Sequence, residues 1–176
     1  TGIPMLSLKG PALAKALFDD ISLRLSSDLD ILAPVDHLDS VEVLLEKMGY
    51  RGAGRNRLLT ERQKKLFQKV HHHRTFVHSE TGIKLEVHWR LSRLKNRFMR
   101  ERPFDRLWLG ADQILLDDVP IPTLGSTDNF LYLCFHGAYH QWSRLAWLVD
   151  VHEILKIWSE PQIKTLLFRH GGSAVA

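Results

Sequence analysis

The chain has one cysteine among its 176 residues, so no disulfide can form within it. Cys134 stands in an apolar, helix-like run, which suits a small core residue better than a nucleophile. A chain so poor in cysteine fits a reducing, cytoplasmic setting. No apolar run approaches membrane-spanning length, and there is no signal-like start. Charge of one sign is not in large excess: the net charge is +4 with ten histidines uncounted. That balance suits a phosphate-bearing ligand without demanding a nucleic acid. What is present, 44% apolar and 25% charged residues, is enough for one substantial core with a helical extension. The chain opens at Thr1-Gly2-Ile3-Pro4 without an initiator Met and stops soon after Gly171-Gly172, so a fragment of a longer chain is expected.

The most informative stretch is Leu25 to Leu32, which sets two carboxylates at strand spacing in an apolar run. Side chains alternate faces along a strand, so Asp28 and Asp30 share one face while Leu29 and Ile31 point into the core. Next-but-one side chains are only about 7 Å apart, so the acids repel unless a cation lies between them. A hard divalent ion is the usual answer, and losing one charge is expected to relieve the metal-free protein. An edge strand with two solvated acids is the plain alternative. Upstream, Met5-Leu-Ser-Leu reads as a short strand, Lys9-Gly10 as a turn, and Pro11 as the first residue of a helix over 11–19. Such a turn leaves free amides at the helix start, where a phosphate is favoured and Lys9 adds a charge.

Asp36 is the expected N-cap of a scaffold helix running to Met48, with Gly49 ending it. Seven basic residues between 51 and 70 read as a loop and a short helix from near Thr60, a solvated face or a site for an anionic partner. Of His71-His72-His73, only His71 and His73 can share one face of a strand, which leaves a metal as an option there. Segments 74–78 and 83–90 read as an antiparallel hairpin. The second strand turns Leu85, Val87 and Trp89 one way and Lys84, Glu86, His88 and Arg90 the other. A second basic run spans 93–102. Pro103 to Trp108 suits a helical turn or two, and Pro120 and Pro122 place the extended pieces around them at an edge or in a loop.

Ser126 is the expected N-cap of the longest helix, 127–158, whose apolar face comprises Leu131, Cys134, Phe135, Ala138, Trp142, Leu145 and Val149. A second stripe carries His136, His140, Arg144, Trp147 and Asp150. It suits the lining of a cleft, with Arg144 on phosphate and Trp147 stacking, or plain packing. A zinc site on His136, His140 and Asp150, as in a metallohydrolase, is a third reading.

Leu8-Lys9-Gly10-Pro11-Ala12-Leu13-Ala14, Arg24 and Asp28-Leu29-Asp30-Ile31-Leu32 together resemble the uncharacterised nucleotidyltransferase family of bacteria, within the polymerase-beta-like superfamily. The likeness continues at Gly49-Tyr50, at Leu85-Glu86-Val87-His88-Trp89 and from His136 through His140, Trp142, Leu145 and Trp147 to Asp150. The resemblance implies an α+β fold, a small mixed sheet flanked by helices over 1–124 with a helical segment over 125–176. It implies transfer of a nucleoside monophosphate from a nucleoside triphosphate to an unknown acceptor, RNA, protein or small molecule. Asp28, Asp30 and Glu86 would be the catalytic and metal-binding acids, holding two magnesium ions. Lys9, Gly10, Arg24 and Arg144 would bind the nucleotide, and His88, His136, His140, Trp147 and Asp150 would line the cleft. The superfamily's usual glycine-serine pair is here Lys9-Gly10, so that serine's role does not transfer. The rival is a catalytically silent module of the same fold, holding an anionic partner such as RNA on its basic segments.

Overall fold

A computed structural model describes residues 2–53, 59–93, 102–161 and 163–164. In chain order the elements are β1 (Leu6–Ser7), α1 (Pro11–Phe18), β2 (Asp28–Leu32), α2 (Leu38–Lys47), β3 (Tyr50–Gly52), α3 (Glu61–Val70), β4 (His73–His78) and β5 (Lys84–His88). Then come α4 (Phe104–Leu109), β6 (Asp112–Leu116), β7 (Val119–Thr123), α5 (Ser126–Tyr139) and α6 (Leu145–Ile157). The strands form one mixed seven-stranded sheet in the order β3-β4-β5-β2-β1-β7-β6. This is the α+β architecture expected.

Alternation decides the sheet's two faces. Leu85 and Val87 of β5 join Phe76, Val41, Leu45 and Tyr50 in a core beneath α2, with Leu29 and Ile31 packed against it. The opposite faces of the same strands are thereby left to Asp28, Asp30, Glu86 and His88. A second core gathers Leu6, Leu8, Leu32, Leu107, Leu124 and Tyr132, so α5 is packed onto the sheet. Leu13 of α1 meets Leu133 and Ile154, which ties α5 and α6 to the helix that follows Gly10.

Three expectations are corrected in detail. A short 3-10 turn, Val35–His37, takes the place given to the Asp36 cap, and α2 starts after it at Leu38. Pro120 and Pro122 lie within a strand, β7, which meets β1 at the single register pair Ser7–Thr123. The prolines thus fall where the β1 side offers no partner for the N–H groups they lack. The predicted 127–158 helix is two helices. Its start is also different: Gly125 is the N-cap, and the Ser126 amide donates to Asp112 Oδ2 at 2.9 Å.

The break has a definite chemistry. The Gln141 amide donates to the Ala138 carbonyl (3.0 Å) and the Trp142 amide to that of Gly137 (2.8 Å), with Gln141 left-handed at φ 55°. These are the two bonds of a Schellman ending, in which the residue after the cap turns left-handed and the next packs back on the helix. Here the Trp142 ring packs over Gly137, close enough that a methyl at 137 would overlap it. The backbone rotation carries the later apolar residues off the predicted face: Leu145 and Val149 are exposed, while Leu131, Tyr132, Leu133 and Gly137 are buried. Gly137→Ala should therefore cost about 1–3 kcal/mol by overpacking. Thermal unfolding measures it, and an unchanged midpoint would mean that the indole moves aside freely.

Candidate active site

The sheet pairing builds the site. β2 and β5 run parallel in a register that sets Asp30 beside Glu86 and Leu32 beside His88. β4 lies antiparallel to β5 with Thr75 opposite Glu86 and His73 opposite His88. Acids from one strand and an acid and a histidine from the next therefore face the same way. They floor a cavity of about 630 Å³ whose opposite wall comes from α5 and α6.

Asp30 is the buried centre, with 2% of its surface exposed. His88 Nε2 donates to its Oδ1 at 3.0 Å, and Lys9 Nζ lies 3.0 Å from Oδ2 as an ion pair poorly aligned for a hydrogen bond. Burial alone would raise the Asp30 pKa, but the His88 hydrogen bond and the Lys9 charge outweigh it and hold the carboxyl well below its usual range. The converse holds at His88, where burial disfavours charge and hydrogen bonding to Asp30 and Glu86 prevails, raising the imidazole's pKa. Glu86 Oε2 lies 3.5 Å from His88 Nε2 and 3.7 Å from His73 Nε2. Its carboxyl is lowered, chiefly by His88. Tyr132, buried beside the acids with Lys9 Nζ 5.9 Å from its ring centroid, is pushed well above an ordinary phenol by burial and by the charges of Asp30, Glu86 and Asp28.

Of the residues expected at the site, Lys9, Arg24, Asp28, Asp30, Glu86, His88, His136, His140, Arg144 and Trp147 all line this cavity. Gly10 is buried behind it as the α1 N-cap at φ 74°, a backbone that favours glycine. Asp150 is the correction. It is 1% exposed and holds Arg24 bidentately, Nε to Oδ1 at 2.8 Å and Nη2 to Oδ2 at 3.0 Å. Arg24, expected at a phosphate, lines the cavity while paired with Asp150, whereas Asp150 is not among the lining residues and, among the described residues, forms no metal-ligand group with His136 and His140. Those two rings still pack against Trp147, His136 edge-on at 5.0 Å and His140 tilted at 5.3 Å between centroids, and Arg144 lies over the Trp147 ring at 5.8 Å. Burial holds His136 neutral, with its pKa down to about 3.

The basic segments are less available than their composition suggests. Arg51 donates to the Glu46 carbonyl, Lys64 pairs with Asp39 and Glu61, and Arg102 is buried against Asp128 at 2.6 Å. Residues 54–58 and 94–101 of those runs lie outside the described residues.

Sequence reasoning missed His72 and Tyr132. It paired His71 with His73 on the assumption that all three histidines lie within the strand. β4 starts at His73, so the bend before it brings His72 round to His73, with 3.2 Å between His72 Nε2 and His73 Nδ1. For Tyr132 a signal did exist, the four-residue spacing Tyr132, His136, His140 on one helix face.

This sheet, with its facing acids under a helical wall, is the fold of the nucleotidyltransferases. The solution structure of the antibiotic-resistance factor ANT(2'')-Ia is similar at a TM-score of 0.62 and 12% identity, over 98% of this chain and 85% of that one. The crystal structure of ANT(2'')-Ia with adenylyl-2''-tobramycin gives 0.59 and 12%, over 97% and 90%. The lincosamide antibiotic adenylyltransferase LnuA, lincomycin-bound, gives 0.55 and 16%, over 89% and 88%. No curated protein matches the sequence. Residues 1–169 match the family model described as uncharacterised nucleotidyltransferase, and the chain belongs to that family. Among the described residues no helix is long and apolar enough to cross a membrane.

Proposed function

We propose that the protein transfers a nucleoside monophosphate from a nucleoside triphosphate to an acceptor hydroxyl, releasing pyrophosphate. The observation that carries this reading is the β2–β5 register, which sets Asp30 against Glu86 with Asp28 on the same face of one cavity. A divalent cation fits the donor set: Asp30, Glu86 and His88 present ligand atoms within 4.8 Å of one another, and Asp30 Oδ2 is buried without an aligned hydrogen bond. Asp28, Asp30 and Glu86 are the oxygen ligands suited to magnesium, two ions by the family's pattern. Such ions, when bound, neutralise charge on the attacking and leaving oxygens of an in-line displacement.

The chain's own groups do the rest. Lys9, next to the Gly10 turn and paired with Asp30 at 3.0 Å, is the cation placed to bind the triphosphate, and it would be freed to do so if Asp30 held a divalent ion. Arg144 and Trp147 on the rim hold phosphate and base. Asp28, the acid without an ion pair among the described residues, accepts the acceptor's proton. Residues 1–124 act as the nucleotidyltransferase-like unit, and α5 and α6 of the following segment, 125–176, close the cavity. A volume of about 630 Å³ is that of a small-molecule site, and small antibiotics are what the structural neighbours carry, which favours a small acceptor over RNA or protein.

Calorimetric titration of a non-hydrolysable nucleoside triphosphate tests this. Binding should require magnesium in the wild type and be lost in Asp28→Asn. Magnesium-independent binding, or none to folded protein, would count against the transferase and for a silent module.

A further inference from the structure

We propose that His72, His73 and His88 form a second cation site beside the carboxylates, one built for a borderline transition metal of the zinc class rather than for magnesium. The proposal rests on this side-chain cluster and not on the transferase reading.

The geometry is that of ligands waiting for an ion. One ring nitrogen from each histidine lies within 4.8 Å of the other two. Around a tetrahedral ion with metal–nitrogen bonds of about 2.0–2.1 Å, ligand atoms stand about 3.3–3.4 Å apart. His72 Nε2 and His73 Nδ1 share a hydrogen bond of 3.2 Å, a spacing that one ion could take up in its place, and the Glu86 carboxylate stands beside the cluster, 3.5 Å from His88 Nε2 and 3.7 Å from His73 Nε2. The three ring centroids are separated by 4.4, 5.0 and 5.5 Å, and the planes meet at 87°, 40° and 61°, so no pair of the rings is stacked. His88 also keeps a buried nitrogen, Nδ1, without a hydrogen-bond partner.

The chemistry of the donors selects the metal. Imidazole nitrogen suits zinc, cobalt, nickel or copper, whereas magnesium takes oxygen. Coordination needs neutral rings. Burial holds His72 down at about 3 and depresses His73 as well, so both offer lone pairs at neutral pH. His88 donates Nε2–H to Asp30, so it can offer a metal only Nδ1, and only once any proton there has left. His88 belongs both to this cluster and to the group with Asp30 and Glu86. A transition metal here therefore draws on the same histidine that holds Asp30, which places the two sites in direct communication.

Cobalt(II) is the probe, because a tetrahedral cobalt site absorbs visible light far more strongly than an octahedral one. The intact protein, stripped with chelator and titrated with cobalt, should develop the tetrahedral spectrum at one equivalent, reversed by zinc and not by millimolar magnesium. His73→Ala and, separately, His72→Asn should weaken cobalt binding at least about tenfold, since loss of even an indirect supporting partner weakens metal sites 10–100-fold. Asp28→Asn should keep the cobalt spectrum while losing magnesium-dependent triphosphate binding, so the two readings fail separately. An octahedral spectrum in the wild type, or equal affinity in both folded histidine variants, overturns the site.

Discussion

Asp30→Asn should abolish nucleotidyl transfer and also lower stability by about 3 kcal/mol, the lower end of what breaking a buried ion pair costs. The sequence alone suggests the opposite sign, since two adjacent acids repel. The structure reverses it: Asp30 is already paired, with Lys9 Nζ at 3.0 Å and His88 Nε2 at 3.0 Å. Removing its charge lets His88 release its proton but leaves Lys9, whose side chain is only 14% exposed, without a counter-charge. A cost of about 3 kcal/mol lowers the melting temperature by roughly 6–12 °C in a chain of this size. Asp28→Asn is the control. Asp28 makes no ion pair among the described residues, so the substitution should stop transfer while moving the melting point by about 2 °C at most.

The same pair fixes a pH signature. Asp30 is held below its ordinary 3.8, so its contribution is present above that value and fades as pH falls toward the folded value. His88 is raised above 6.5, so its contribution is complete below 6.5 and is lost as pH rises through the folded value. Support from the pair is therefore fullest between about pH 4 and 6.5. His72 and His136, held neutral down to about pH 3, act oppositely: the unfolded chain takes up their protons below 6.5, and stability drops. That loss is common to wild type and Asp30→Asn. The difference between their stability curves should then show a maximum in this window, and a flat difference would remove Asp30 from the network.

How far the sequence discloses the molecule depends on the range of the interaction that decides each part. Period-two alternation is local, so the carboxylate face of β2 and the Glu86–His88 face of β5 are legible residue by residue. That β5 lies beside β2, in the register that meets Asp30 with Glu86, is non-local, and only the family likeness suggests it. The Lys9–Asp30 pair spans 21 positions and the Arg24–Asp150 pair 126, so no pattern in a window contains either. The end of α5 failed for another reason. Helix stops are read from glycine or proline, and this one uses Gln141 in the left-handed position, stabilised by an indole lying where Gly137 has no side chain. The informative glycine is inside the helix, four residues before the turn.

Asp150→Ala should be the most destabilising single change outside the acid cluster, at about 3–5 kcal/mol. The carboxylate is 1% exposed and both of its oxygens are bonded by one guanidinium, which itself is nearly buried and gives a further bond to Ser26 Oγ at 3.0 Å. Truncation strands the Arg24 charge against α6 without its carboxylate acceptor. Losing 3–5 kcal/mol corresponds to a melting point lower by roughly 6–20 °C. A pair buried this deeply is seldom better than an apolar match of similar volume, so Arg24→Met with Asp150→Leu should recover most of the stability, and a double-mutant cycle by denaturant unfolding gives the coupling. The double variant also tells which job Arg24 has. Held by Asp150, it serves the fold that sets the segment ahead of β2 against α6. The refolded double variant should therefore bind the triphosphate within about threefold of wild type, whereas a loss beyond tenfold, about 1.4 kcal/mol, would return Arg24 to the phosphates.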